Sequence, residues 1–294
     1  MGELDQVAAV RLLVPAVRSA LLWTGASART STMLRLFDVE FTNTTVAEAS
    51  RRLIETAQIR RRARIVFANA HVINEIAADD RYSRIVGTAD QVFADGSGLA
   101  LAARLAGAPL ADNVNGTDLF PQLASDAAAA GVSIFMLGGK PGTADAARDR
   151  MTGFGLGAAL VGAHHGYFAP GSAEEDAAIA AANASGAQIV LVGMGVPLQD
   201  AWIARVGDRL KAPVRIGVGG LFDYFAGHVS RAPHVFRVIG CEWVWRLALE
   251  PRRMARRYLW GNAVFVARAV IEAIRLRHAG TPALTSGVRT AGSP

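Results

Sequence analysis

The sequence contains one cysteine, Cys241, among 294 residues. A single cysteine excludes an intrachain disulfide and a thiolate metal cluster, so a reducing compartment fits the chain best. Uninterrupted apolar runs of about 18 residues are also absent. The longest apolar stretch, 7–23, is broken by Arg11, Pro15 and Arg18, and it lacks the basic start and cleavage site of a signal peptide. We therefore predict neither a disulfide-stapled domain nor a clear membrane span.

Several ligand-binding motifs are missing as well. The sequence has no D-x-D triplet, no G-x-G-x-x-G turn and no P-loop spacing. His164 and His165 are adjacent, and neighbouring side chains at a strand end point in different directions, so a metal site would need a third ligand that the sequence does not indicate. We expect no metal. A diphosphate substrate would then have to be neutralised by cationic side chains or helix N-termini.

The positive charge is concentrated near the C-terminus. Ten arginines and three glutamates between residues 231 and 277 give +7, which leaves −1 for the rest of a chain whose net charge is +6. Tryptophan, leucine and tyrosine side chains alternate with these arginines. Basic amphipathic helices with tryptophans are typical of membrane surfaces. A solvated helix face and a buried dimer interface are the alternatives.

Short β-branched runs alternate with Ala-rich helical stretches from residue 64 onward, which is typical of βα units in a mainly parallel sheet. The predicted strands lie near 64–69, 91–94, 133–137, 159–162, 188–193 and 214–218. We predict an α/β, Rossmann-like fold with helices on the sheet and a C-terminal helical appendage. The predicted divisions are an N-terminal extension (1–34), an α/β core (35–230), a basic amphipathic appendage (231–278) and a flexible tail (279–294).

Polar and glycine residues follow most of these strands. Because the carboxyl ends of parallel strands share one edge of a sheet, a common pocket is more probable there than a set of independent turns. The residues in question are Asn69, Asp95-Gly96, Gly138-Gly139, Gly195 with Gln199, and Gly219-Gly220 with Asp223. Asp95 suits a general base, or else it caps the next helix. Gly138–Gly142 suits an anion site or a tight turn.

Taken together, these stretches resemble the WecG/TagA/CpsF glycosyltransferase family (family 26) over about residues 36–265. The blocks that carry the resemblance include Ala68-Asn69-Ala70, Asp95-Gly96-Ser97-Gly98, Val114-Asn115-Gly116-Thr117-Asp118, Leu137-Gly138-Gly139-Lys140-Pro141, His165-Gly166-Tyr167-Phe168, Gly195-Val196-Pro197-Leu198-Gln199-Asp200, Val218-Gly219-Gly220, Phe222-Asp223, Arg231-Ala232-Pro233, Glu242-Trp243, Arg246-Leu247 and Glu250-Pro251-Arg252-Arg253 through Arg257-Tyr258.

The resemblance implies metal-independent, inverting transfer of a hexose, N-acetylhexosamine or hexuronic acid from a UDP-sugar to a polyprenyl-diphosphate-linked saccharide. It implies a peripheral, cytoplasmic enzyme on an anionic membrane, with no cofactor and no nucleic-acid partner. The resemblance leaves open whether the protein forms a homo-oligomer. The implied roles are Asp95 as the base, Asn69 and Gln199 near the sugar, Tyr167 on uracil, Asp223 on the ribose, and Arg246, Arg253 and Arg256 on the diphosphate. The remaining expected binding residues are Gly96, Gly138, Gly139, Gly220 and Arg231.

Three residues depart from the family pattern. Phe67 replaces a usual threonine, Asp200 a usual glutamate and Leu198 a common lysine. These changes affect the choice of sugar more than the reaction type. The alternatives from other classes are an NAD(P)-binding oxidoreductase on the same kind of sheet, and a non-catalytic protein whose basic helices bind a membrane surface.

Overall fold

The computed structural model describes residues 32–230, 232–233, 236, 242–279 and 284–286. Its strands are β1 Thr32–Leu36, β2 Val39–Asn43, β3 Ala63–Ala68, β4 Gln91–Ala94, β5 Ile134–Gly138, β6 Leu160–His164, β7 Ile189–Gly193, β8 Val214–Gly217 and β9 Leu284–Ser286. Its helices up to residue 225 are α1 Val46–Gln58, α2 Ala70–Ile76, α3 Asp80–Gly87, α4 Ser97–Leu105, α5 Gly116–Ala130, α6 Thr143–Gly153, α7 Ala173–Ala184, α8 Leu198–Val206 and α9 Leu221–Phe225. After residue 241 come α10 Glu242–Leu249, α11 Pro251–Ala255, a π-helical turn Arg256–Trp260 and α12 Gly261–Ala279.

Six strands form one parallel sheet in the order β4-β3-β8-β7-β5-β6. These are the six strands that the sequence predicts, and their bounds differ from the prediction by two residues or fewer. Central strands β5 and β7 are buried along their whole length, as expected of a parallel sheet covered by helices on both faces. The prediction of an α/β fold with a mainly parallel sheet and a C-terminal helical segment is confirmed.

Capping side chains set the ends of the flanking helices. Thr45 begins α1 by accepting the backbone N–H of Glu48 at 3.3 Å. Asn115 begins α5 by accepting the N–H of Asp118 at 3.0 Å, and Gly131 ends it in the left-handed conformation at φ 65°. Such caps satisfy backbone groups that the helix itself leaves unpaired. The helices between strands therefore begin and end at residues that local chemistry selects.

A second, antiparallel sheet of three strands has the order β2-β1-β9. Phe37 and Asp38 form the tight turn between β1 and β2 at φ 54° and 57°. Leu34, Leu36 and Phe41 are buried and belong to the same hydrophobic cluster as Val66 and Val92 of the parallel sheet. Sequence patterns did not predict β1 and β2, and β9 falls within residues given as a flexible tail.

Helix α12 packs against α2 and α4. Phe265 and Ala269 are 1% exposed and join the hydrophobic cluster that contains β1 and β2. Glu272 accepts the backbone N–H of Phe37 at 2.9 Å, and Asn74 donates to the Gly261 carbonyl at 2.8 Å. The C-terminal helix is therefore part of the hydrophobic core. Within the part of the chain that the structure describes, no helix combines the length and apolar composition needed to cross a membrane.

Candidate active site

A cavity of about 610 Å³ opens at the carboxyl edge of the parallel sheet. Its floor contains Asn69, which follows β3, Asp95, which follows β4, and Val218 and Gly220, which follow β8. Phe265 of α12 forms part of the opposite wall. The predicted site residues Asn69, Asp95, Gly96 and Gly220 therefore meet in one cavity, because the three strands that carry them are neighbours in the sheet.

Asp95 is half-buried on this floor and is held by hydrogen bonds through its backbone and its side chain. Its backbone N–H donates to the Ala68 carbonyl at 2.8 Å, and its Oδ2 accepts from Asn69 Nδ2 at 3.3 Å. Gly96 occupies the N-cap position of α4 at φ 88°, so Asp95 lies before the cap. The capping role that the sequence left open for Asp95 therefore belongs to the neighbouring glycine, and the carboxylate faces the cavity.

Asn69 serves both a helix and the carboxylate. Its Oδ1 accepts the backbone N–H groups of His71 and Val72 at 3.1 and 3.2 Å, which caps α2. Since the oxygen is engaged by the helix, the amide nitrogen is left to face Asp95. Helix capping thereby fixes which atom of Asn69 reaches the candidate base.

Asn113 and Asn115 hold the other side of the floor. Asn113 Oδ1 accepts the backbone N–H of Gly96 at 2.7 Å, which tethers the turn after Asp95. Asn115 caps α5 and donates to Asp118 at 2.7 Å. The Thr117 hydroxyl donates to Asn115 Oδ1 at 2.6 Å. These contacts hold the start of α5 at the cavity floor.

Gly138 and Gly139 lie outside this cavity, at the end of β5. A Cβ on Gly138 would overlap the backbone carbonyl of Gly193, and one on Gly139 would lie 2.9 Å from the Thr143 Cβ. Both glycines are thus required by close packing at a strand-to-helix turn. Their use as an anion site stays a prediction.

The ends of β5 and β7 nevertheless mark a change in chain direction. Helix α6 carries the chain from β5 outward to β6, whereas α8 carries it from β7 the opposite way to β8. Crevices of this kind are where open parallel sheets commonly bind ligands. Gly138 and Gly139 therefore lie at the switch in chain direction on the same edge of the sheet.

Gln199 is buried at 2% exposure and joins two glycine loops. Its Oε1 accepts the backbone N–H of Gly195 at 3.2 Å and that of Gly219 at 2.7 Å. These loops follow β7 and β8. The side chain does not line the cavity, so its contact with a sugar stays a prediction, while its observed contacts hold the loop that carries Gly220.

Asp200, next to Gln199, is 3% exposed and accepts the Tyr82 hydroxyl at 2.7 Å. Burial raises the pKa of Asp200 to about 6, and hydrogen bonds from Tyr82 and Gln199 offset this only in part. Phe67, the second departure from the family pattern, is 8% exposed and packs against Phe93 at 5.8 Å between ring centroids. Leu198, the third, is 55% exposed. All three side chains lie off the cavity wall.

Tyr167 lies in the loop after β6, with 61% of its side chain exposed. The loop is held from below by Glu175, which accepts the Gly171 N–H at 2.8 Å and Trp202 Nε1 at 2.6 Å and pairs with Arg205. The hydrogen bond from Arg205 is the main cause that lowers the pKa of Glu175 to about 2. Tyr167 therefore stands on an anchored loop at the β6 end of the sheet edge.

Asp223 lies on α9, just beyond Gly220. Its carboxylate is 3.7 Å from His228 Nδ1, and its backbone carbonyl accepts the N–H of His228 at 2.9 Å. It is half-buried and lies beside the cavity instead of lining it.

Four of the predicted site residues are arginines of the C-terminal segment. Arg246, Arg253 and Arg256 lie on α10, α11 and the π-helical turn, but their side chains lie outside the described residues, as does Arg231 altogether. The backbone of these elements borders the cavity, because Trp243 of α10 and Tyr258 of the turn line its wall. Contacts of the arginines with a diphosphate stay predictions.

Sequence reasoning missed several cavity residues. Trp243 and Tyr258, whose ring centroids are 6.2 Å apart, were assigned to an interfacial surface, yet both line the cavity. His71 and Asn262 also line it. His71 lies two residues after Asn69, on the first turn of α2. Local sequence patterns do not indicate that α10 and α12 reach the cavity at the sheet edge, whereas the family resemblance implies a helical appendage that helps close the active site.

Among the described residues, no group of three or more His, Cys, Asp or Glu side chains is arranged to hold a metal ion. His164 Nδ1 contacts the His165 carbonyl at 2.8 Å, and His165 Nε2 lies 3.6 Å from Glu174. Both rings are therefore engaged locally.

The chain matches the model of a known protein family. A model described as the glycosyl transferase WecG/TagA/CpsF family matches residues 34–279. The matched range contains every residue of the cavity wall and extends through α12.

Proposed function

Because the chain belongs to the WecG/TagA/CpsF glycosyltransferase family, we propose that it transfers a sugar from a UDP-sugar to a polyprenyl-diphosphate-linked saccharide. The transferred group is a hexose, N-acetylhexosamine or hexuronic acid, and the product serves cell-surface polysaccharide synthesis. The observation that carries this proposal is the position of Asp95, the one carboxylate that the described residues contribute to a cavity at the carboxyl edge of a parallel sheet.

The proposed reaction is one in-line displacement with inversion. Asp95 takes the proton of the acceptor hydroxyl as its oxygen bonds to the anomeric carbon. The bond from that carbon to the β-phosphate oxygen breaks, and UDP leaves with the electron pair. Asn69 keeps the carboxylate oriented through its amide nitrogen.

The donor fits along the sheet edge. The crevice between β5 and β7 would receive the nucleotide, with Tyr167 stacking on uracil and Asp223 binding the ribose. Four strand spacings separate β5 from β4, which amounts to roughly 19 Å at the usual spacing. A nucleotide, two phosphates and a sugar in an extended arrangement can bridge that distance, so the anomeric carbon would reach Asp95.

The leaving diphosphate requires positive charge, which the arginines of residues 231–277 would supply. Arg246, Arg253 and Arg256 belong to the elements that carry Trp243 and Tyr258 into the cavity wall. Guanidinium groups bind phosphate oxygens in bidentate fashion, so a metal ion is not required for this role. We propose a peripheral enzyme on the inner face of the plasma membrane, since its acceptor is held there.

Two measurements test this function. UDP should raise the melting temperature, and NAD(P) should not, because only a ligand of the folded state stabilises it. Asp95→Asn should keep the UDP-induced rise and lose on the order of 10²–10⁴ in turnover. Stabilisation by NAD(P) alone would favour an oxidoreductase. Near-normal turnover of the variant would remove Asp95 from the role of base.

A further inference from the structure

The cavity has an apolar end that opens to the outside. Leu101 of α4 and Val266 of α12 both line the cavity, yet their side chains are 42% and 44% exposed. Phe265 lies beside Val266 and is buried. Since Leu101 and Val266 face the cavity and the exterior alike, the cavity wall continues into the outer surface between α4 and α12.

That outer surface is a stripe along α12. The exposed positions from 263 to 274 are all apolar, namely Ala263, Val266, Ala267, Val270, Ile271 and Ile274. Their spacing of three and four residues places them on one side of the helix, opposite the buried Phe265, Ala269 and Ala273. An exposed charge on α12 first occurs at Arg275. From Val266 to Ile274 the stripe is about 12 Å long.

The floor of the cavity is polar. Asn69, Asp95 and Asn113 lie there at the ends of the strands and in the turn beside them. A molecule that occupies the floor and leaves between Leu101 and Val266 would therefore carry polar groups where it meets the floor and hydrocarbon where it leaves. The shape distinguishes this stripe from a simple protein contact, because a second chain on α12 would not need side chains that also line the cavity.

We propose that Leu101, Val266, Val270 and Ile274 form a track for the hydrocarbon chain of the lipid-linked acceptor. The chain leaves the cavity between α4 and α12 and lies along the exposed face of α12. This inference rests on the proposed function for the identity of its occupant. The saccharide end of the acceptor then points to Asp95, and the track selects acceptors that carry a long apolar chain.

Binding of two prenyl diphosphates tests the track. Farnesyl diphosphate and dimethylallyl diphosphate share the diphosphate and differ in the length of the hydrocarbon. The wild-type protein should bind farnesyl diphosphate at least about tenfold more tightly, since more apolar surface is buried. Val266→Ser and Val270→Ser should each weaken farnesyl diphosphate binding about fivefold and leave dimethylallyl diphosphate binding unchanged. Isothermal titration measures both dissociation constants.

Ile59→Ser provides the matched control, because Ile59 is 70% exposed at the end of α1, which leads into the amino end of β3 at the opposite edge of the sheet. It should retain the chain-length preference. Equal affinity of the wild-type protein for both probes would overturn the track. An equal loss of affinity for farnesyl diphosphate and for dimethylallyl diphosphate in the two α12 variants would overturn it as well. The track would also be overturned if the two α12 variants sedimented less with phosphatidylglycerol vesicles but kept the wild-type preference for farnesyl diphosphate. That result would assign the stripe to the membrane surface.

The failure of the track and that of the glycosyltransferase proposal are distinguishable in the same preparation. The UDP-induced rise in melting temperature reports the donor, and the ratio of the two prenyl diphosphate affinities reports the track. A UDP response without a chain-length preference removes the track alone. A preference without a UDP response removes the proposed donor and retains an apolar acceptor track.

Discussion

At the scale of single residues, the pairing of Asn69 with Asp95 links helix capping to catalysis. Asn69→Asp separates the two roles, because an aspartate caps a helix as well as asparagine does. The new carboxylate would face Asp95 at hydrogen-bonding distance, and a neighbouring like charge favours the protonated form of a base. We expect thermal stability near that of the wild type at acidic pH and below it at neutral pH, where both carboxylates ionise, together with lower turnover at neutral pH and an acidic limb of the pH–rate profile that moves to higher pH.

Asn69→Ala gives the complementary variant. It removes the cap, which costs about 1 kcal/mol of stability, but introduces no charge, so the acidic limb should stay in place. If Asn69→Asp lowered turnover equally at every pH, the amide of Asn69 would contact substrate instead of orienting Asp95.

This pair also shows what a sequence can reveal at the residue scale. Asn69 and Asp95 were each predicted to lie at the sheet edge, because each follows a strand. Their contact depends on β3 and β4 being neighbours in register, with Ala68 opposite Ala94. Strand order is set by packing over the whole sheet. Local patterns therefore predict that both residues lie at the sheet edge but not that they contact each other.

At the scale of elements, Asp200 joins α8 to α3 through the Tyr82 hydroxyl. Burial raises the pKa of Asp200 to about 6 in the folded protein, against 3.8 for an unperturbed aspartate. Ionisation therefore costs the folded state free energy, and this group lowers stability as pH rises from about 4 to about 6. The penalty is fully present above that window and amounts to on the order of 2–3 kcal/mol.

Asp200→Asn removes the ionisation and keeps a side chain that can bond to Tyr82. The stability of the variant relative to wild type should therefore improve between pH 4 and pH 7, as measured by urea unfolding at both values. Asp80→Asn, exposed at the start of α3, controls for a general charge effect and should show no such trend. A difference between Asp200→Asn and wild type that is constant with pH would contradict a strained ionised Asp200.

Elements differed in how well the sequence predicted them. Apart from β6, which is partly exposed, the parallel strands are buried and mainly apolar runs, so their apolar pattern and flanking glycines indicate them. The β1–β2 hairpin turns at Phe37 and Asp38, both at positive φ, where the usual hairpin signal is glycine or asparagine. Strand β9 pairs with β1 from the far end of the chain, and no local signal predicts such a partner.

At the scale of the whole molecule, charge and apolar surface coincide at the C-terminal end. The segment 231–277 carries +7, whereas the rest of the chain carries −1. Leu259 and Trp260 are 62% and 72% exposed just before α12. An anionic bilayer attracts basic segments by about 1 kcal/mol per residue near its surface, and salt screens that attraction. Exposed tryptophan favours the interface itself.

These features predict selective docking that vesicle sedimentation can measure. The protein should sediment with phosphatidylglycerol vesicles at low salt, less at 1 M salt where the Debye length is about 3 Å, and weakly with neutral phosphatidylcholine vesicles. Trp260→Ala should reduce binding to anionic vesicles, because it removes an exposed aromatic ring and leaves the charge unchanged. Ile59→Ser, on an exposed side chain away from this segment, should leave binding unaltered. Equal, salt-insensitive binding to both lipids would mean that the arginines of 231–277 serve the diphosphate and not the membrane.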